Sequence, residues 1–411
     1  MSFTYISRAT SLHCETFFFV LLKKKKEVKM QQVKDLNTTT SATVQGGENV
    51  RLRDKKVKDL MVNKRRLVEI PYTATLAHTM NALVANNVVT MPVAAPPGHW
   101  IGAGGSMIME ADKQTGAVRK HYIGMVTMLD ILAHIAGDAH QLNGGDVPDD
   151  LDQRMSVPVS SIIGHCLEGL SLWTLNPNTS LLDCMEVFSK GIHRALVPID
   201  SHMENVAGVE LVESASSYRM LTQMDLLRFL KEQASELQSI LTRSVEESGT
   251  TIENVFAISE KAKVIDAIRC MKVAMLNAVP IVKASDHTVE EDHMQLINGR
   301  GRKLIGTFSA TDLRGCHLAT LQSWLSISAL EYTEKMSTSP LFTGNTISER
   351  ELVTCFGETS LYEVIDKAVT KRVHRVWVVD KQGLLFGVVS LTDVIRVLRQ
   401  SMIFDDSQSA A

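Results

Sequence analysis

Aromatic side chains are scarce in this 411-residue chain, at 5% of the total, and no apolar run approaches the roughly 18 residues that a membrane-crossing helix needs. The longest candidate near the start, FFFVLLKKKK, offers only Phe17–Leu22 before four lysines. Its order, apolar then basic, reverses that of a secretory signal, so it reads as part of a disordered tail rather than a leader or surface anchor. Cysteine is sparse too. Cys14, Cys166, Cys184, Cys270, Cys316 and Cys355 are scattered without CxxC spacing, which argues against a zinc knuckle or a disulfide framework and fits a reducing compartment, the cytoplasm or the nucleus. The glycines of GAGGS at 102–106 are not followed by Lys-Ser/Thr and open no helix, so they read as a flexible loop, not a phosphate loop. No set of nucleophile, base and orienting group is present, and His287 and His293 in SDHTVEEDH suit a solvated acidic loop better than a metal site. Neither catalysis nor a bound metal is expected.

The remainder is ordinary globular material, 45% hydrophobic and 22% charged, long enough for two domains with sizeable cores. The formal net charge of −3 hides an uneven distribution: residues 1–66 hold fifteen Lys/Arg against six Asp/Glu, a local +9 that leaves −12 elsewhere. A basic patch confined to one end does not imply general nucleic-acid binding.

One short device recurs: GMVTMLD at 124–130, RMLTQMD at 219–225, GTFSATD at 306–312 and GVVSLTD at 387–393. The closing aspartates are 95, 87 and 81 positions apart, the near-regular period of a repeat protein. Upstream of each lies the same order of elements, an amphipathic helix and two strands, and a second helix follows. In the last unit Ser360 and Glu363 stand at capping-box spacing, and Leu361, Val364, Ile365 and Ala368 recur at helical intervals, so a helix is predicted over about 361–372. RVWVVD and LLFGVVS, split by KQG, read as a tight hairpin. TSLLDCMEVFSKGI, AKVIDAIRCMKVAM and ATLAHTMNALVANN supply the equivalent helices. The stretches at 95–120 and 283–303 read as surface excursions of hairpin loops, with GRGRK (299–303) as solvated chain. Met107, Met109, Met125 and Met128 read as core and loop filling, and Trp173 and Trp324 as packing residues.

In each unit a strand ends at a hydroxyl residue, Thr127, Thr222, Ser309 or Ser390, and Asp130, Asp225, Asp312 or Asp393 follows three positions later on the first turn of the next helix. Helix capping explains this spacing: the hydroxyl takes the N-cap and the helix dipole favours the carboxylate. A second reading stands beside it. A carboxylate accepts two hydrogen bonds and suits the vicinal diol of a ribose, while helix N-termini offer N–H groups to phosphate. His193-Arg194 and His374-Arg375, just after the first helix of units two and four, add suitable anion partners.

These units resemble cystathionine-β-synthase (CBS) domains. Four in register over about residues 50–402 resemble the gamma-type regulatory subunits of AMP-activated and sucrose-non-fermenting-related protein kinases. KKVKDLMVNKRRLVEIPYTATLAHTMNALVANN and RKHYIGMVTMLDILAHIAG are most similar to the plant gamma-like subunits. The resemblance implies an α/β fold of four CBS repeats forming two Bateman modules packed as a disc. The implied boundaries are a disordered extension over 1–50, repeats at 51–140, 152–235, 240–325 and 330–402, and a tail at 403–411. It further implies a non-catalytic subunit that senses AMP, ADP or ATP as a regulatory ligand, not a covalent cofactor, and assembles with a kinase catalytic subunit and a beta-type scaffold. The four aspartates would hold ribose with Thr127, Thr222, Ser309 and Ser390 beside them, apolar strand residues would sandwich adenine, and His193, Arg194, His374 and Arg375 would face phosphate.

Three departures bear on that expectation. NNVVTMP in unit one and AMLNAVP in unit three lack the basic residue of the phosphate position, which implies fewer than four working sites. An extra residue between Arg194 and Asp200, relative to Arg375 and Asp380, is expected to rotate His193-Arg194 away from the cleft. Arg219 replaces the glycine of positions 124, 306 and 387 and is expected either to block or to recruit a ligand. The rival reading is a stand-alone CBS scaffold with empty clefts or another adenosyl ligand. Because NTTTSATVQGGEN is polar and aperiodic, a chain beginning near Arg51 is expected to melt like the full chain in calorimetry; a fall of more than a few degrees would contradict this.

Overall fold

Each repeat is built around a pair of antiparallel strands, and in all four the hydroxyl residue that ends the second strand faces the first residue of the first strand. A computed structural model of the chain describes residues 51–95, 121–137, 150–166, 172–199, 218–284, 293–337 and 352–409. Repeat 1 runs β1 (Ile70–Pro71), α1 (Leu76–Ala85), β2 (Thr90–Ala95), β3 (His121–Thr127) and α2 (Met128–Ala136). Repeat 2 has α3 (Leu181–Ser189), β4 (Arg194–Pro198), β5 (Tyr218–Thr222) and α4 (Gln223–Glu232). Repeat 3 has β6 (Phe256–Ser259), α5 (Val264–Val273), β7 (Ala278–Val282), β8 (Ile297–Asn298) and β9 (Leu304–Ser309). A linking helix, α6 (Ala329–Ser337), leads to repeat 4: β10 (Thr354–Cys355), α7 (Leu361–Lys371), β11 (Arg375–Val379), β12 (Leu385–Ser390) and α8 (Leu391–Ser409). All of these lie in one compact unit.

The helix predicted from Ser360 onward spans Leu361–Lys371, with the Ser360 hydroxyl accepting the Glu363 N–H at 3.3 Å and Arg372, at φ 53°, closing the other end. β1, β6 and β10 pair in parallel with the first long strand of their repeats, and repeat 2 keeps a lone parallel bridge, Thr174 to Leu196. The α8 helix continues through Ser409, past residue 402 where the sequence reading begins a tail.

Register explains the recurring glycine. Val93 faces Gly124, Ile281 faces Gly306 and Val378 faces Gly387, and at each of these pairs the ladder slips by one residue. In repeat 2 Val197 faces Arg219 and the ladder runs without a slip. A bulge bends its strand and brings other backbone close, which glycine tolerates.

Two sequence expectations are corrected. After Ser309 the chain makes only a 3-10 turn, Asp312–Gly315, instead of a helix. The excursion at 283–303 is not wholly solvated loop: β8 pairs with β6, and GRGRK zips onto repeat 4 through Gly301 N–H to Leu385 O at 2.8 Å and Leu385 N–H to Arg302 O at 2.8 Å. Arg300 sits 4.7 Å over the Phe386 ring. GAGGS, Met107, Met109 and His287 lie outside the described residues, whereas Met125 and Met128 are buried as expected.

Sheets join repeats within a module and helices join the modules. Tyr122 and Tyr218 meet edge to face at 5.6 Å between repeats 1 and 2, and Trp377, Val379, Leu385, Val255 and Leu304 join repeats 3 and 4. The helices of repeats 1 and 3 share a core with Met80, Leu132, Ile265 and Tyr332, where Trp324 packs on Tyr332 at 4.9 Å. Those of repeats 2 and 4 share a second core with Phe188, Leu227, Ile365 and Leu398, against which Trp173 packs. Burying each such aliphatic or aromatic chain contributes about 1.5–3 kcal/mol. Linkers cross over within modules: the segment before repeat 1 bridges repeat 2 (Lys56 to Ser180), and the one between them bridges repeat 1 (Thr75 to Pro158). Ser244 to Ser360 and Lys263 to Ser328 repeat that pattern in the second module.

At the slip in repeat 4, a Cβ on Gly387 would lie 2.5 Å from Thr251 Cγ2 and 2.9 Å from Ile252 O. Gly387→Ala is therefore expected to cost about 1–3 kcal/mol in urea unfolding. Unchanged stability would contradict the close seating of the 251–252 backbone on β12.

Candidate functional site

The four hydroxyl-to-carboxylate junctions are local in origin: an extended hydroxyl residue ends a strand, and the next turn presents three N–H groups that need acceptors. In repeat 1 Asp130 Oδ2 accepts from Thr127 N at 2.8 Å and Oγ1 at 2.6 Å, while Oδ1 accepts from Cys166 N at 2.8 Å. Asp130 is 0% exposed, and burial pushes its carboxyl up against the hydrogen bonds from Thr127 and Cys166. Asp312 is likewise 0% exposed and accepts from Ser309 N at 2.8 Å. Asp393, 3% exposed, accepts from Ser390 Oγ at 2.5 Å and pairs with Arg396. Asp225 alone retains an open edge, at 16% side-chain exposure, and there Lys64 Nζ lies 2.5 Å from Oδ2. The capping arrangement is thus present in repeats 1, 2 and 4, whereas in repeat 3 Asp312 meets only the Ser309 N–H and the Ser309 hydroxyl meets Thr311 Oγ1 at 2.7 Å; the ribose role rests on the resemblance alone.

The two His-Arg pairs occupy one geometry. Arg194 faces Thr222 across β4 and β5, and Arg375 faces Ser390 across β11 and β12. His193 O accepts Gln223 N–H at 3.1 Å, and His374 O accepts Leu391 N–H at 3.2 Å. The expected rotation of His193-Arg194 does not occur, because both strands have five residues and the extra residue, Ile199, falls beyond the strand. Thr90, facing Thr127, and Ala278, facing Ser309, hold the same positions without a basic group. Arg219 reaches Lys64 O with Nε at 3.3 Å and Tyr218 O with Nη1 at 3.1 Å.

The most distinctive electrostatic feature was not singled out from sequence. Burial first, then the nearby guanidiniums of Arg194, Arg372 and Arg65, lower the proton affinity of Arg314, and Asp312 opposes them. Cations from repeat 2, repeat 4 and the first linker therefore lie near enough to Arg314 of repeat 3 to act on it. Arg314 Nε is buried and finds no hydrogen-bond partner among the described residues. A signal did exist. Two positions after the aspartate the other repeats carry Leu132, Leu227 and Ile395, each 0% exposed, so Arg314 stands where a helix would drive it into a core. The 3-10 turn removes that conflict. Tyr332 holds the turn, donating to Asp312 O at 3.0 Å and meeting Cys316 Sγ at 3.1 Å. Arg65 and Arg372, by contrast, sit in NKRR and TKRVHR, runs that read as solvated charge. Among the described residues no group of three His, Cys, Asp or Glu is placed to hold a metal, and no helix is long and apolar enough to cross a membrane.

These junctions differ in what they support. Asp130→Ala strands the buried N–H groups of Thr127 and Cys166 and is expected to cost about 1–3 kcal/mol, whereas Asp225→Ala, at a more exposed cap, is expected to cost about 1 kcal/mol or less. Urea unfolding of both variants tests that order, and equal losses would contradict it.

Comparison with known proteins agrees with this architecture. The CBS domain family model matches residues 345–400. A solved structure from Methanocaldococcus jannaschii, described as a putative archaeal homolog of g-AMPK, aligns at TM-score 0.52 and 17% identity, covering 83% of this chain and 99% of that one, a likeness of fold. Two Arabidopsis thaliana proteins, SNF1-related protein kinase regulatory subunit gamma-like PV42a and PV42b, are 62% and 58% identical, each over 86% of this chain and 97% of its own length. Identity of that extent, across all four repeats and both modules, makes the chain a member of the SNF1-related protein kinase regulatory subunit gamma-like family.

Proposed function

We propose that the chain is a non-catalytic regulatory subunit of a SNF1-related, AMP-activated-type serine/threonine kinase, which binds AMP, ADP or ATP and assembles with a catalytic subunit and a beta-type scaffold. The observation that carries the nucleotide part is the gathering of Arg65, Arg194 and Arg372 around Arg314, whose Nε is buried and has no hydrogen-bond partner among the described residues. Gathering like charges in a partly buried place is unfavourable unless an anion joins them. A polyphosphate matches that need, since each guanidinium fork donates to two phosphate oxygens. The kinase part rests on the names of the Arabidopsis relatives.

Signalling follows from where the four cations originate. Arg194 begins β4, Arg314 sits on the turn after β9, Arg372 ends α7 and Arg65 lies in the linker that crosses to repeat 2. A ligand held by all four ties both modules together, and the number of phosphates sets how many forks are engaged. AMP and ATP then favour different arrangements of the repeats, and a kinase partner that prefers one arrangement is coupled to the nucleotide by the same free energy.

Calorimetric titration of the full chain with AMP, ADP and ATP tests this reading. Arg314→Ala is expected to weaken ATP binding about 10- to 100-fold, the value of a charge-assisted hydrogen bond of about 1.5–3 kcal/mol, and to weaken nucleotide dependence of the co-expressed kinase more than its assembly. No nucleotide heat in the wild type, together with no kinase recovered on co-expression, would favour the stand-alone scaffold.

A further inference from the structure

Repeat 2 differs from repeat 4 at one pair of equivalent positions. The linkers before repeats 1 and 3 seat alike, Lys56 bridging Ser180 and Ser244 bridging Ser360, so the eighth residue onward is Lys64 in one and Ile252 in the other. In repeat 4, Ile252 exchanges two backbone hydrogen bonds of 2.9 Å with Val388, an approach that Gly387 permits. In repeat 2 the glycine is Arg219, and its guanidinium takes the place of that backbone contact by donating to Lys64 O.

The linker then turns at Val62-Asn63, with Asn63 in the left-handed region at φ 60° and Lys64 N–H reaching Met61 O at 3.4 Å. Asparagine accepts that conformation better than most residues. The turn leaves Lys64 with 20% side-chain exposure and its Nζ 2.5 Å from Asp225 Oδ2. The same oxygen already accepts from Thr222 N at 2.9 Å and Oγ1 at 2.6 Å, and Oδ1 faces Arg228 Nη1 at 3.6 Å.

We infer that Lys64 is a built-in occupant that closes the second repeat's cleft to nucleosides. A ribose offers two neutral hydroxyls to Asp225, and to be seated it must displace a charge-assisted bond that is stronger and tethered to the same chain. Oδ2 has no capacity left for a further donor while Lys64 is in place. Arg219 holds the backbone of Lys64, so the substitution of glycine and the presence of lysine act as one device. This inference rests on the reading that the clefts take adenine nucleotides.

The experiment titrates the full chain with AMP by calorimetry, comparing wild type, Lys64→Ala, Lys64→Met and Lys64→Ala/Asp225→Asn, with thermal unfolding of each as a check of fold. Both single variants are expected to bind one more AMP per chain than wild type, and the double variant to return to the wild-type stoichiometry. Wild type that binds AMP beside single variants with no added site would overturn the inference and leave the nucleotide reading standing. Absence of AMP binding in every protein would overturn both.

Discussion

A unit made of two strands and two helices has an apolar sheet face and an apolar helix face, and it cannot cover both by itself. In this chain each sheet is covered by the other repeat of its module and each helix pair by a repeat of the other module. Removing any one repeat would expose two of the shared surfaces. The linkers that cross within each module add backbone hydrogen bonds to the same closure, so four copies are a condition of burial before they serve any ligand.

That closure also fixes where divergence is tolerated. The strand-to-helix junction recurs in repeats 1, 2 and 4 because it satisfies the N–H groups of a starting helix, and in repeat 3 Asp312 keeps the bond to the Ser309 N–H without the helix. Once each junction is anchored, neighbouring positions are released from a packing role. Arg219 stands where three repeats need glycine at a ladder slip, and Arg314 stands where three repeats bury an aliphatic chain. Each breaks a local rule and each brings a cation toward a cleft or toward the other arginines. Departures of this kind are where function is expected in a repeat protein.

The device ending in Asp130, Asp225, Asp312 and Asp393 was legible because capping and strand alternation are short-range rules, and α7 was placed to within a residue by the Ser360 cap and the apolar spacing. The two-residue strands β1, β8 and β10 were not legible, since two residues have no period. GRGRK looks solvated by composition and is instead paired to Leu385 by its backbone, a contact that no local pattern encodes. His193-Arg194 and His374-Arg375 stood out as matched pairs, but Arg65, Arg314 and Arg372 come from three non-equivalent positions, and only closure of the four repeats brings Arg65 and Arg372 near Arg314. Lys64 was hidden in a basic run for the same reason.

The arginines gathered around Arg314 are placed to hold phosphate. A crystal structure of the full chain grown with ATP decides whether they do: phosphate density is expected bonded to Arg314 and to at least two of Arg65, Arg194 and Arg372. Nucleotide bound away from these residues, or arginines that disperse toward solvent with no ligand between them, would contradict it.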